Sequence, residues 1–235
     1  MRGAGVGNAL RMYGFCGAAA ACSARVCARR PRNRGHRRRA RRGGSGKGER
    51  EDGGASSRSG VLESTINLEI AKRIEDLLHF AGVRTQMIRT QDVSVYTEGG
   101  SIQQKKVSDL KNRVQMVERT PNALLLSIHQ NYFPEAKYHG AQVFYAKTPG
   151  SEALAALLQQ TLRTCVDPEN HRREKPAEAV YLMEKVSCTA VLVECGFLSN
   201  EPEAEKLTQA QYQKQLTGAV CGALCSYLET EGESQ

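Results

Sequence analysis

Two apolar runs of this chain each end in a residue able to do acid–base or metal chemistry. One is Asn122-Ala123-Leu124-Leu125-Leu126-Ser127-Ile128-His129-Gln130-Asn131, and the other is Thr189-Ala190-Val191-Leu192-Val193-Glu194-Cys195-Gly196-Phe197. A short continuous apolar run reads as a strand buried on both faces of a parallel sheet. In open α/β sheets the ligand crevice lies beyond the carboxyl ends of the strands, where His129 and Glu194 fall. A hydrolytic metal centre needs His, Glu or Asp ligands converging on one point, with an open position for water. The metal lowers the pKa of that water, and a separate carboxylate then serves as general base and acid.

Each candidate also has a plainer explanation. His129 is the best single ligand, yet a hydrogen-bonded histidine at a strand end looks the same in sequence. Asn131 beside it would position a substrate or order the loop. Glu63 opens an amphipathic stretch, where a carboxylate also complements the helix dipole. Glu194 is harder to dismiss, because a carboxylate beside so much apolar surface is costly unless paired, liganded or catalytic. Bonds to backbone amides would satisfy it as well. Arg173 and Lys175, in a polar loop over 170–177, would contact a substrate carboxylate or simply sit in solvent.

The elements that must hold these residues follow from hydrophobic spacing. Ile66, Ile70, Ile74, Leu77 and Leu78 recur as on one helix face, and Gly82 suits its end. The pattern then predicts a short strand over 83–88, a polar loop over 94–106 and a helix over about 107–119. Beyond the strand ending at His129 come a strand over 140–146, a helix from Ser151 to Leu162 and a strand or turn over 179–184. The strand ending at Glu194 precedes a last helix over about 208–227. Alternating strands and helices make an α/β fold with a mainly parallel sheet.

Charge divides the chain. Residues 1–60 hold 15 Lys and Arg against 3 Asp and Glu, and the remainder holds 18 against 22. Residues 1–50 are rich in Arg, Gly and Ala and have too little apolar surface to offset the entropy of ordering, so a disordered extension is expected. Binding of nucleic acid or an anionic surface is the functional alternative for that tail. The 8 cysteines have no metal-ligand spacing and suggest small core residues rather than a disulfide framework. No stretch is long enough to cross a membrane, and Gly17–Ala21 is too short for the apolar region of a signal peptide.

Residues 51–229 resemble the zinc-dependent N-acetylmuramoyl-L-alanine amidases of the amidase-3 type, and among them the sporulation and germination branch, the CwlD-like amidases. The resemblance is carried by Glu51-Asp52-Gly53-Gly54-Ala55, Gly60-Val61-Leu62-Glu63, Arg89 with Asp92, Ser127-Ile128-His129-Gln130-Asn131, Gly140-Ala141-Gln142-Val143-Phe144-Tyr145 and Val193-Glu194-Cys195-Gly196-Phe197-Leu198-Ser199-Asn200. It implies a single domain, 51–229, with a mainly parallel central sheet flanked by helices, followed by a polar tail over 230–235. It implies Glu63 and His129 as Zn2+ ligands, Glu194 as the catalytic carboxylate, and hydrolysis of the amide between N-acetylmuramic acid and L-alanine in peptidoglycan. Asn131, Arg173 and Lys175 are its candidate substrate contacts. An envelope or extracellular location follows, with room for an activating lipoprotein partner and no specific nucleic acid.

The chain departs from the family at one place. The family enters an Asp-Pro-Gly-His-Gly-Gly turn from an apolar first strand, and the histidine of that turn is a zinc ligand. Here Gly48 stands at that position, and His36 lies within the arginine run. The first strand is therefore expected to be missing or replaced, and residues 1–50 read either as a genuine loss or as a misread frame joined at Glu51. With one ligand lost, a catalytically inactive binder of muropeptide or of a partner becomes the alternative function.

Overall fold

A computed structural model describes residues 22–25, 54–97 and 100–233, with side chains for 54–97 and 100–230. Five strands form one sheet in the order β1-β2-β5-β3-β4: β1 Cys22–Arg25, β2 Leu124–Asn131, β3 Gln142–Tyr145, β4 Lys175–Pro176 and β5 Thr189–Phe197. Six helices accompany it: α1 Glu63–Phe80, α2 Ile102–Glu118, α3 Ser151–Cys165, α4 Tyr181–Lys185, α5 Glu201–Thr208 and α6 Ala210–Glu233. The architecture is a single α/β domain with helices on both sides of the sheet.

The sheet is mixed, which corrects the expectation of a mainly parallel one. β2 with β5 and β3 with β4 are parallel, while β1 with β2 and β3 with β5 are antiparallel. The reason lies in the connection: parallel neighbours need a crossover, usually helical, whereas the chain leaving β2 returns as β3 through a loop without a helix.

Strand alternation sorts the core into two layers. Leu124, Leu126, Ile128, Val143, Val191, Val193 and Cys195 pack with α1, α3 and α6. Leu125, Phe144, Ala190 and Leu192 pack with Val117 of α2 and with Leu182 and Met183 of α4. With a side-chain period of two, Ser127, His129, Gln142 and Glu194 belong to this second face.

Several elements differ from expectation. Residues 83–88 carry only isolated bridge positions at Arg84 and Met87 rather than a strand. α2 begins at Ile102, inside the expected loop, because Ser101 and Gln104 close a capping box. In place of the strand or turn expected over 179–184 there is a short helix, α4, from Tyr181 to Lys185. The last helix is preceded by a separate α5, opened by the Asn200 side chain and ended at Gln209. Within the 1–50 stretch, Cys22–Arg25 pairs with β2. His36, Gly48, the arginine run and Glu51 lie outside the described residues. Cys195 and Cys221 are buried, as small core residues should be, whereas Cys165 is exposed.

Candidate active site

Glu63 begins α1 and is held there by its neighbours rather than by a side-chain N-cap. Its amide donates to the Ala55 carbonyl at 2.9 Å, and the Ala55 amide donates back to Glu63 Oε2 at 3.0 Å. Gly54, at φ +73°, makes room for this: a Cβ there would stand 2.6 Å from Glu63 Oε2. The first turn is tied down by Arg89, buried at 4% exposure, which donates to the Ser64 carbonyl at 2.6 Å and to Asp92 Oδ1 at 3.1 Å.

His129 lies at the end of β2, and its Nδ1 is 3.1 Å from Glu63 Oε1. The same oxygen accepts from Asn67 Nδ2 at 3.1 Å. The other imidazole nitrogen meets Ser127 Oγ at 3.0 Å, two residues back on the same face. Burial alone would raise the Glu63 carboxyl, but the hydrogen bond and charge of His129, with donors from Ala55 and Asn67, together hold it below its ordinary value.

Glu194 sits directly across the ladder from His129, and Gln142 on β3 is across from Glu194 on its other side. Glu194 is 2% exposed, and its Oε2 has no hydrogen-bond partner among the described residues. Burial pushes its pKa well up, and the Glu63 charge adds to the effect. The two carboxyl groups are thus driven in opposite directions, the arrangement that separates an ionised ligand from a proton-carrying acid or base.

Tetrahedral zinc bound at ~2.0–2.2 Å spaces its ligand atoms about 3.4 Å apart, close to the 3.1 Å between Glu63 Oε1 and His129 Nδ1. The orphaned oxygen of Glu194 beside this pair is a second sign that a polar group belongs there. The donors therefore suit zinc in kind and spacing. Among the described residues no group of three His, Cys, Asp or Glu is placed to hold a metal ion.

The other expected contacts are not brought to this pair. Asn131 is half-buried at the end of β2, where its carbonyl accepts from Leu198 N at 2.8 Å. Arg173 and Lys175 are exposed, and among the described residues their side chains make no hydrogen bond to Glu63, His129 or Glu194; the Arg173 carbonyl accepts from Gln142 Nε2 at 2.8 Å.

Sequence reasoning missed four residues around this centre. Ser127 interrupts an otherwise apolar run, which was the available signal. Gln142 was hidden in a strand whose pairing partner lies far along the chain. Arg172 stacks its guanidinium on Phe197 at 4.5 Å and donates to the His139 carbonyl at 2.7 Å and Gln142 Oε1 at 3.1 Å. Glu203 accepts from Gly140 N at 2.8 Å and Phe197 N at 2.7 Å, so one carboxylate ties the start of β3 to the end of β5. Asn200 and Glu203, three apart, carry the signature of a helix start.

A bulge supports this arrangement. His129 pairs with Glu194, but Asn131 pairs with Phe197, so β5 spends one residue more than β2 over the same rise. The extra residue reverses the alternation and puts Phe197 in register on the His129 face.

Comparison with known proteins agrees with this geometry. The chain belongs to the N-acetylmuramoyl-L-alanine amidase family of the amidase-3 type, whose profile matches residues 43–226. It is 33% identical to the germination-specific N-acetylmuramoyl-L-alanine amidase of Bacillus subtilis over 184 residues, 77% of each protein. The structure of the CwlD amidase from Clostridioides difficile in complex with the GerS lipoprotein superposes with a TM-score of 0.73 at 36% identity, covering 76% of this chain and 93% of that one. The amidase AmiC2 of Nostoc punctiforme gives a TM-score of 0.64 at 26% identity, covering 76% and 91%.

Proposed function

We propose that this chain is a zinc-dependent peptidoglycan amidase acting in sporulation or germination, cleaving the amide between N-acetylmuramic acid and L-alanine. Glu63 and His129 hold the zinc and Glu194 is the general base and acid. The observation that carries this reading is the buried Glu194 carboxyl, orphaned at Oε2 and raised in pKa, on the same rung as His129 of the Glu63–His129 pair.

Glu63 and His129 would hold zinc, which when bound would supply a Lewis acid for the amide carbonyl and lower the pKa of the attacking water. Glu194 takes the proton of that water and passes it to the leaving amine; burial raises its pKa and so makes the carboxylate a stronger base. Ser127 and Asn67 keep the imidazole and the Glu63 carboxylate in their orientations. Asn131, Arg173 and Lys175 border the substrate. The first family ligand is replaced by Gly48, so zinc is held by an incomplete set and more weakly. An envelope location and a lipoprotein partner fit the family and the complex formed by the Clostridioides difficile relative. Among the described residues no helix is long and apolar enough to cross a membrane.

The test is hydrolysis of a soluble muropeptide by the full chain, read as new L-alanine amino termini by mass spectrometry. Zinc-dependent release that disappears in E194Q supports the amidase. No release at saturating zinc overturns it and leaves the inactive binder, which the Gly48 substitution favours and for which E194A keeps its affinity for muropeptide.

A further inference from the structure

We propose that Arg172 anchors a carboxylate of the stem peptide while the scissile amide lies over His129 and Glu194; this rests on the amidase reading above. His129, Glu194 and Gln142 form one row across β2, β5 and β3, and the Gln142 side chain accepts from Arg172 Nη1 at 3.1 Å. Neighbouring strands lie ~4.8 Å apart, and the guanidinium lies both on the Gln142 side chain and over Phe197, three residues past Glu194 on β5, so it stands roughly a residue's length or two of extended peptide from Glu194.

The cation is fixed but not neutralised. Its Nε donates to the His139 carbonyl at 2.7 Å, and its plane covers the Phe197 ring at 4.5 Å, with Tyr138 at 6.0 Å. No carboxylate forms an ion pair with it among the described residues, and Glu203 acts only at longer range. A guanidinium has five N–H donors, and two have protein partners here. A half-buried, stacked arginine with donors to spare is a fork set for an external carboxylate. In the substrate, the lactyl carboxyl of muramic acid is consumed in the scissile amide, so the remaining carboxylates lie on the peptide side. The same Phe197 whose register the bulge resets is the ring beneath this cation.

The test is calorimetric binding to the full chain with zinc present, using L-alanyl-D-glutamate and its diamide, in which both carboxyls are amides. The wild type is expected to prefer the dicarboxylate by about 10-fold or more. R172Q should bring that preference close to unity while leaving diamide binding unchanged. R172K, which keeps the charge but not the fork, should fall between, and thermal melts of both variants check that the fold survives. An unchanged preference in R172Q, or none in the wild type, overturns the proposal. E194Q should keep the preference, and a wild type that shows the Arg172 effect but hydrolyses no muropeptide at saturating zinc would remove the amidase reading and leave the anchor standing.

Discussion

His129 and Glu194 occupy the same rung of the parallel β2–β5 ladder, near the C-terminal ends of both strands. An imidazole and a buried carboxyl are thereby held side by side by backbone pairing alone. Glu63 is brought to them from a helix 66 residues earlier in sequence than His129, by its own contacts with Ala55, Asn67 and His129. Rigid elements thus place each group, as a site that must hold its geometry requires.

Glu194→Gln should keep the fold and lower amide hydrolysis by ~10²–10⁴-fold, the usual contribution of a positioned acid–base group. It also removes a carboxyl whose charged form is opposed by burial. The zinc-free variant should therefore melt no lower than the wild type at pH 8. Near-wild-type hydrolysis would exclude Glu194 from proton transfer.

Ser127→Ala takes away the hydroxyl at the far nitrogen of His129. Outer-shell losses of this kind typically weaken metal affinity by ~10–100-fold. Competition with a zinc chelator should show that drop with little change in secondary structure by circular dichroism. Equal affinities would mean that Ser127 does not orient the ring.

Gly54→Ala places a Cβ where Glu63 Oε2 now lies, on a backbone at φ +73°. The carboxylate must shift and the turn is strained by ~1–2 kcal/mol. Zinc affinity and melting temperature should both fall. A variant with unaltered zinc affinity would show that Glu63 is not held by this contact.

Glu203 is held above the ordinary carboxylate value mainly by burial, against the amides of Phe197 and Gly140. The folded state therefore binds this proton more firmly than the unfolded state does. Its stabilising contribution is fully present below the unfolded value of 4.5 and is lost as pH rises through the higher folded value. Glu203→Gln has no such titration. Relative to that variant, the wild type should lose melting temperature as pH rises above 4.5; a gap that stays constant or widens in favour of the wild type would contradict the assignment.

Much of the scaffold is legible in the chain. The Leu124–Ile128 and Val191–Val193 runs become β2 and β5, and the spacing of Ile66, Ile70 and Ile74 becomes the buried face of α1. The meeting of Glu63 and His129 was accessible only through family resemblance, because spacing says nothing about contacts between distant segments. Arg172, Gln142 and Glu203 escaped for the same reason: a polar residue in a strand or a loop looks solvated until its partner across the sheet is known. The direction of β3 was misjudged because an alternating pattern of strands and helices does not reveal a connection that skips the helix. α4 was hidden by its brevity, since five residues are too few to establish a period.

The bulge on β5 makes this region sensitive to length in a way that composition does not reveal. Inserting one more residue between Glu194 and Phe197 would advance the alternation a further step and carry Phe197 to the opposite layer, leaving Arg172 without its ring and Glu203 with a misplaced amide. Exchanging Cys195 leaves the phase intact, whereas a Cβ at Gly196 would stand 2.8 Å from the Glu203 carboxyl carbon. Across relatives, this stretch should hold its length and its glycine more strictly than the residue at position 195.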